Sequence, residues 1–174
     1  RTVTQSGIRS GHSTTTALAT VTDNLFRACD KKMYTCLILV DFSRAFDTLD
    51  HILLCSKLKC LVISDKAKAF FNSYLLNRSQ CTEFNGKVSQ FRSITRGVPQ
   101  GSILGPLLFS IYTSDLRNHL EFCSVHQYAD DTQLYYSFSQ ENINVACERI
   151  NSDLQYMTRY VCAHSLVLNE SKTE

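Results

Sequence analysis

Tryptophan is absent from this chain of 174 residues, and only two prolines and six glycines are present. So few residues that interrupt regular structure exclude a collagen-like chain and extended low-complexity linkers. Neither sign of charge dominates, since 18 Lys and Arg against 16 Asp and Glu give a net charge of +2. This excludes a histone-like polycation but allows a protein that gathers its cations in one cleft. The hydrophobic content of 44% is enough for a packed core, so we expect one domain or part of a larger one.

Long apolar runs are missing too. The longest spans residues 36–40, far short of the roughly 20 residues that cross a membrane, and no signal peptide precedes it. The eight cysteines include no Cys-x-x-Cys pair and no Cys-His cluster with zinc spacing. Several of them stand in apolar stretches, as Cys36 does. We therefore predict reduced, buried thiols in a soluble intracellular protein.

Apolar periodicity predicts helices mixed with antiparallel strands. The helical periods cover residues 13–30, 51–61, 65–76, 107–120 and 140–164. Strand patterns cover residues 35–41, 124–128, 132–138 and 166–168, and Asn85-Gly86 predicts a hairpin between residues 80–84 and 87–95. The continuous apolar run before residue 41 predicts a strand buried on both faces. Together these patterns predict an α+β layered domain.

Three aspartates beside apolar strands are the most informative residues. Asp41 ends the first strand, and Asp130 and Asp131 lie between the strands 124–128 and 132–138. Ionised carboxylates beside buried strands are costly, and neighbouring ones repel each other, unless a cation compensates them. Mg²⁺ is the natural candidate, because it binds through one or two carboxylates plus substrate phosphates. Strand alternation indicates that Asp130 and Asp131 do not both face one ion fully, so one of them pairs with Asp41.

A simpler interpretation stays open for each aspartate taken alone. Asp-Asp is ordinary in a hairpin turn, and Asp41 alone fits the end of a strand. The combination of the three residues favours the metal site.

Four segments in order resemble the polymerase motifs A to D of reverse transcriptases. They are residues 41–51 (DFSRAFDTLDH), 96–109 (RGVPQGSILGPLLF), 128–132 (YADDT) and 168–174 (LNESKTE). Residues 5–14 (QSGIRSGHST) resemble the segment between fingers and palm in reverse transcriptases of the non-LTR retrotransposon branch. Their sequence is most similar to that of the jockey-like elements. In that segment Arg9 and His12 are candidate phosphate contacts, although an ordinary loop arginine and a histidine preceding a helix fit equally.

The resemblance implies a partial reverse transcriptase domain over residues 1–174, with a small antiparallel sheet packed on helices. Residues 1–34 would join fingers to palm, and residues 35–174 would form the palm with motifs A, B, C and the start of D. The implied activity is RNA-directed DNA polymerisation, in which two Mg²⁺ ions, or Mn²⁺ in their place, assist dNTP addition to a primer 3′-hydroxyl. The implied partners are an RNA template, a DNA primer and dNTPs, with no membrane. The protein would act in a nuclear or cytoplasmic ribonucleoprotein.

The same resemblance assigns roles to residues of the acidic site. Asp41 and Asp130 match the metal ligands, Asp131 matches the third acidic residue, and the backbone carbonyl of Phe42 matches a further ligand. Lys172 matches a lysine that could protonate the pyrophosphate leaving group, and its alternative is a solvated lysine.

Five more residues match positions around the nucleotide, template and primer. Phe46 matches the bulky residue that would clash with a 2′-hydroxyl, and its alternative is a core aromatic. Ser43, Gln100 and Gly101 match nucleotide or template contacts, and Tyr128 matches a residue beneath the primer end.

Other functions on the same motifs stay open: a group II intron maturase-like protein, or a decayed or co-opted remnant that binds RNA without catalysis. The upstream finger motifs, the thumb and the endonuclease of the parent polyprotein are not in this sequence. We therefore expect little or no polymerase activity from residues 1–174 alone.

Overall fold

The computed structural model describes residues 13–174. Candidate contacts Arg9 and His12, with most of the segment 5–14, lie outside the described residues. Within residues 13–174, the α-helices are α1 (Thr14–Asp30), α2 (His51–Cys60), α3 (Asp65–Leu75), α4 (Leu104–Tyr112) and α5 (Ile143–Ala163). The strands of this part of the chain are β1 (Tyr34–Val40), β2 (Arg78–Gln80), β3 (Glu83–Phe84), β4 (Lys87–Val88), β5 (Arg92–Ile94), β6 (Ser124–Tyr128) and β7 (Asp131–Phe138).

The main sheet has three antiparallel strands in the order β1-β7-β6. Its register places Ile38, Leu134 and Val125 side by side, and all three contribute to one hydrophobic core. Side chains of α2, α4 and α5 complete that core, so helices cover one face of a small antiparallel sheet. The predicted α+β class is confirmed, with a sheet that brings the end of β1 beside the β6–β7 turn.

The predicted burial of β1 on both faces is wrong. Leu37 and Leu39 keep 37% and 40% of their surface exposed, whereas Val40 on the core face is buried. β1 is an edge strand, and the face that carries Leu37 is only partly covered by α1, whose Asn24 donates to the Tyr135 hydroxyl at 3.1 Å. A continuous apolar run does not distinguish this arrangement from a central strand.

The hairpin between α3 and α4 forms as predicted at its turn but is divided along its arms. Asn85 and Gly86 both have positive φ, 49° and 72°, as a two-residue hairpin turn requires. The arms pair in two short ladders, β3 with β4 at the turn and β2 with β5 at the base.

The predicted burial of the cysteines is mostly wrong. All eight are free, and only Cys55 and Cys123 are buried. Five are exposed: Cys29, Cys60, Cys81, Cys147 and Cys162. Cys81 lies in the loop between β2 and β3, and the other four lie on helix positions that face away from the core. Within residues 13–174, no helix is both long and apolar enough to span a bilayer.

Asp153 of α5 fixes the segment that leads into β6. Its side chain is fully buried and accepts hydrogen bonds from the backbone N–H groups of Glu121 and Phe122 at 2.9 Å and Cys123 at 2.6 Å. Burial and the Asp153 carboxylate raise the pKa of the Cys123 thiol to about 12. One buried carboxylate therefore satisfies three consecutive donors just before the strand that carries the acidic turn.

A polar network joins α2, α5 and the segment after α4. The Lys57 ammonium donates to Asp115 Oδ1 at 2.6 Å and lies 2.9 Å from His164 Nε2. The Tyr160 hydroxyl also donates to Asp115 Oδ1, at 2.6 Å. Burial lowers the pKa of His164 and that of Lys57, so the neutral imidazole can accept from the ammonium.

Candidate active site

A two-residue turn between β6 and β7 presents Asp130. Tyr128 and Asp131 form the last pair of the ladder, which leaves Ala129 and Asp130 in the turn. Ala129 has a φ of 55°, a left-handed conformation that costs an L-residue roughly 1–2 kcal/mol. Such strain in a tight turn is common at functional sites, where it aims a side chain.

Asp41 follows β1 directly, one residue after the Val40–Thr132 pair that ends the β1–β7 ladder. Its position is fixed from the C-terminal segment, because Asn169 Nδ2 donates to Asp41 Oδ2 at 2.8 Å and Asn169 N–H donates to Asp41 O at 2.9 Å. The next residues continue this pairing, with the Ser43 N–H donating to the Val167 carbonyl at 2.8 Å. Residues predicted as motifs A and D therefore lie side by side.

Most of the predicted site residues meet at one cavity of about 290 Å³. Its wall includes Asp41, Phe42, Ser43, Phe46, Gln100, Asp130 and Lys172. Asp131 instead lines a second cavity of about 280 Å³, whose wall Asp41 and Lys172 share. Asp130 and Asp131 thus open onto two different cavities beside Asp41, as strand alternation predicts.

The three carboxylates interact electrostatically. Burial raises the pKa of Asp131, and the charges of Asp130 and Asp41 raise it further. Repulsion of this kind is relieved when a cation binds between the carboxylates.

The donor set fits a magnesium ion held by few protein ligands. Carboxylate oxygens are the ligands that Mg²⁺ prefers, and Asp41 and Asp130 supply them to one cavity. Across residues 13–174, no three His, Cys, Asp or Glu side chains converge as a closed metal cage. The arrangement therefore fits an ion that also takes oxygens from its substrate.

Phe46 is packed against the core and also lines the acidic cavity. Its ring lies 5.6 Å from the ring of Phe109, at an interplanar angle of 53°, and the side chain is half-buried. Both interpretations of Phe46, a core aromatic and a wall of the site, describe the same ring. The core contact fixes the surface that the ring presents to the cavity.

Gly97 allows the segments of motifs A and B to cross closely. Its φ is 81°, and a Cβ added there would lie 2.8 Å from the Asp47 carbonyl oxygen. Gly97 N–H donates to the Leu49 carbonyl, and Val98 N–H donates to the Phe46 carbonyl, both at 2.8 Å. This crossing brings Gln100 to the acidic cavity.

Asp47 holds the Gln100 side chain, whose Nε2 lies 3.1 Å from Asp47 Oδ1 and 3.2 Å from Oδ2. Sequence reasoning did not single out Asp47, Asn169 or Gly97. The sequence signal that could have identified these three residues is their position inside the predicted motifs.

Of the other predicted residues, Lys172 lines the acidic cavities, whereas Gly101 and Tyr128 do not. Lys172 is exposed and lines both acidic cavities. Gly101 has a φ of 74° and no atom of the described residues within 4 Å of an added Cβ, and it does not line either acidic cavity. Tyr128 is half-buried beside Asp131 in the ladder.

Comparison with known proteins identifies the family. A family model described as reverse transcriptase (RNA-dependent DNA polymerase) matches residues 2–174. The chain belongs to the reverse transcriptase family.

Individual relatives of this reverse transcriptase chain confirm the predicted jockey-like branch. It is 33% identical to a probable RNA-directed DNA polymerase from transposon BS of Drosophila melanogaster, over 97% of the chain and 19% of the relative. It is also 33% identical to the RNA-directed DNA polymerase from mobile element jockey of the same organism, over 74% of the chain and 15% of that relative. The chain thus spans less than a fifth of the relative's length in either case.

Solved structures of telomerase share the fold. Telomerase from Candida albicans, solved in complex with a fragment of telomeric RNA, aligns with a TM-score of 0.68 over 97% of this chain and 30% of its own. Apo telomerase from Candida tropicalis aligns with a TM-score of 0.64. The sequence identities are 14% and 13%, so these likenesses show the fold alone.

Proposed function

We propose that this chain is the palm, with part of the fingers, of a non-LTR retrotransposon polymerase that copies RNA into DNA. Residues 1–34 are assigned to the finger-to-palm segment and residues 35–174 to the palm. The supporting observation is the cavity where Asp41 and Asp130 meet Phe46, Gln100 and Lys172. The substrates are an RNA template, a DNA primer and dNTPs.

Divalent cations serve the reaction, as in the family generally, and we propose Mg²⁺. Asp41 and Asp130 would hold it, with the carbonyl of Phe42 as a further ligand and Asp131 at the adjoining cavity. A pair of Mg²⁺ ions held there would supply the charge that lowers the pKa of the attacking 3′-hydroxyl and neutralises the leaving oxygen. The carboxylates need no proton for this role, because ionised oxygens are the ligands.

Neighbouring side chains orient the nucleotide. Phe46, fixed by Phe109, excludes a 2′-hydroxyl from its side of the cavity and so favours dNTPs over rNTPs. Gln100, held by Asp47, presents its carbonyl oxygen to the nucleotide or template. Lys172 is placed to donate a proton to pyrophosphate as it leaves.

Primer extension by the full-length polymerase that contains these residues tests the assignment. Asp41→Asn and Asp130→Asn should each abolish Mg²⁺-dependent dNTP incorporation, while Asp23→Asn, an exposed position on α1, should leave it unchanged. Undiminished extension by either site variant would refute the ligand roles. Phe46→Ala should increase rNTP use, and an unchanged preference for dNTPs would refute the gate.

Thermal melting of the 174-residue chain measures metal binding separately from catalysis. Mg²⁺ should raise the melting temperature of the wild-type chain more than that of Asp130→Asn. Equal shifts for both proteins would place the cation elsewhere.

A further inference from the structure

The C-terminal segment, residues 166–174, holds the chain on both sides of Asp41. On one side, the Ser43 N–H donates to a backbone carbonyl of the segment at 2.8 Å. On the other side, Leu39 and Glu174 exchange both backbone hydrogen bonds, at 2.7 Å and 3.0 Å. The backbone of Asp41 is therefore fixed between two contacts with one segment, and the orientation of its carboxylate depends on the residue that faces it.

Asn169 is that residue, and hydrogen bonds at both ends of its side-chain amide fix the amide. Its Nδ2 donates to Asp41 Oδ2 at 2.8 Å, and its Oδ1 accepts from the Ser171 hydroxyl at 2.8 Å. An ionised carboxylate only accepts hydrogen bonds, so the NH₂ end of the amide has to face Asp41. Because the amide oxygen faces Ser171 instead, Asn169 acts on the acidic site through Asp41.

The amide holds the Asp41 carboxylate without cancelling its charge. Within residues 13–174, no basic side chain forms an ion pair with Asp41. A lysine or arginine in place of Asn169 would compete with a bound cation, and a further carboxylate would add to the repulsion among Asp41, Asp130 and Asp131. A neutral donor on Oδ2 avoids both effects and leaves the second carboxylate oxygen to a cation.

We propose that Asn169 is a positioning residue, which fixes the Asp41 carboxylate in the orientation that binds the divalent cation and so sets the cation affinity of the site. This inference rests on the proposed function, because it takes Asp41 as a cation ligand. Partners that hydrogen-bond to metal ligands commonly contribute about tenfold to a hundredfold in metal affinity.

Titration of the 174-residue chain with Mn²⁺ tests this role without substrates or turnover. Mn²⁺ shares the preference of Mg²⁺ for carboxylate oxygens, and electron paramagnetic resonance counts the free ion. Asn169→Ala should raise the Mn²⁺ dissociation constant about tenfold, the lower end of the range, because the backbone hydrogen bond from residue 169 to Asp41 remains. Competition with Mg²⁺ should show the same change, and a thermal melt in EDTA checks that the variant folds.

Thr173→Val is the matched control within the same turn. The Thr173 hydroxyl contacts backbone only, since it donates to the Asn169 carbonyl at 2.9 Å and lies 3.5 Å from the Asp41 backbone nitrogen. This variant should leave the Mn²⁺ dissociation constant unchanged. Ser171→Ala keeps Asn169 but removes the donor that orients its amide, and it should weaken Mn²⁺ binding about twofold, as for one exposed hydrogen bond.

The results separate a positioning role from loosening of the segment. Unchanged Mn²⁺ affinity in Asn169→Ala, or an equal loss in Thr173→Val, would overturn the inference. If Asn169→Ala does not fold, Ser171→Ala decides in its place, and unchanged affinity there would overturn the inference.

Asp130→Asn distinguishes a failure of this inference from a failure of the proposed function. A Mn²⁺ site that is lost in Asp130→Asn but kept in Asn169→Ala would overturn this inference alone, whereas unchanged binding in Asp130→Asn would overturn the proposed function as well. In the full-length polymerase, excess Mg²⁺ should restore primer extension by Asn169→Ala but not by Asp130→Asn. A loss in Asn169→Ala that persists at every Mg²⁺ concentration would indicate a structural role and overturn the inference.

Discussion

Replacing Asp153 should destabilise the fold more than replacing other aspartates. In Asp153→Asn the carboxamide has one acceptor oxygen, and its NH₂ group faces backbone donors that the carboxylate satisfied. The three N–H groups of residues 121–123 lie 2.6–2.9 Å from the carboxylate oxygens, and the side chain is 0% exposed. Breaking a buried, charge-assisted set of this kind costs about 3–5 kcal/mol.

Thermal unfolding followed by circular dichroism measures this cost. For a domain of this size, 1 kcal/mol corresponds to about 2–4 °C in melting temperature, so we expect a decrease of about 6–20 °C. Asp23→Asn on α1 is the matched control, because its carboxylate is exposed. We expect the control to change the melting temperature by less than about 2 °C, since surface substitutions usually cost under 0.5 kcal/mol.

A small effect on Asp153→Asn would refute the reasoning. If Asp153→Asn and Asp23→Asn have the same melting temperature, the N–H groups of residues 121–123 find hydrogen-bond partners in water or through relaxation of the loop. The position of β6 would then depend on its pairing with β7 rather than on α5.

Three further predictions follow from the same structure. Gly97→Ala should lower the melting temperature more than Gly86→Ala. Both glycines have a positive φ, but only a Cβ at residue 97 would clash with backbone, 2.8 Å from the Asp47 carbonyl oxygen. Equal decreases in melting temperature would contradict the close crossing of the two segments at Gly97. The chain should lose stability as pH falls from 7.5 to 5. Folding lowers the pKa of His164, so the imidazole takes up a proton when the chain unfolds. In thermal melts at several pH values, His164→Gln should reduce the change of melting temperature with pH. Asp131→Asn should stabilise the metal-free chain at pH 7, because the raised pKa of Asp131 shows that its ionised carboxylate is unfavourable in the folded state. A lower melting temperature of the variant in EDTA would contradict this.

Much of the fold follows from local pattern. The Asn85-Gly86 turn, the caps of α2 and α3 by Asp50 and Ser64, and the acidic hairpin are all encoded within a few residues. The hairpin turn requires residues that accept a positive φ, and a helix cap requires a side chain that accepts a hydrogen bond from the first N–H groups. Short segments specify both.

Features set by tertiary contacts were not predictable in the same way. The exposure of Leu37 and Leu39 depends on how much of that face of the sheet α1 covers, and β1 has the same apolar run that a fully covered strand would have. The helical period over residues 140–164 does not by itself separate Cys147, which is exposed, from its neighbour Ala146, which is buried with Asp153. A buried aspartate with three backbone donors has no periodic signal in sequence.

The acidic site was predictable in its members but not in its supports. Asp41 and Asp130 stand out because carboxylates beside apolar strands need a compensating partner. Asp47 and Asn169 act by hydrogen bonds to Gln100 and Asp41, and those pairs form only when distant segments meet.

The contact between Asn169 and Asp41 joins residues 128 positions apart. Closing so long a segment carries a large entropic cost before any stabilising contact forms, and such pairings slow folding. We therefore expect the hairpin that carries Asp130 to form early from local contacts, and Asp41 to reach its final orientation only when the C-terminal segment docks along β1. During synthesis on the ribosome, Asp41 would thus reach this orientation only after Asn169 had emerged.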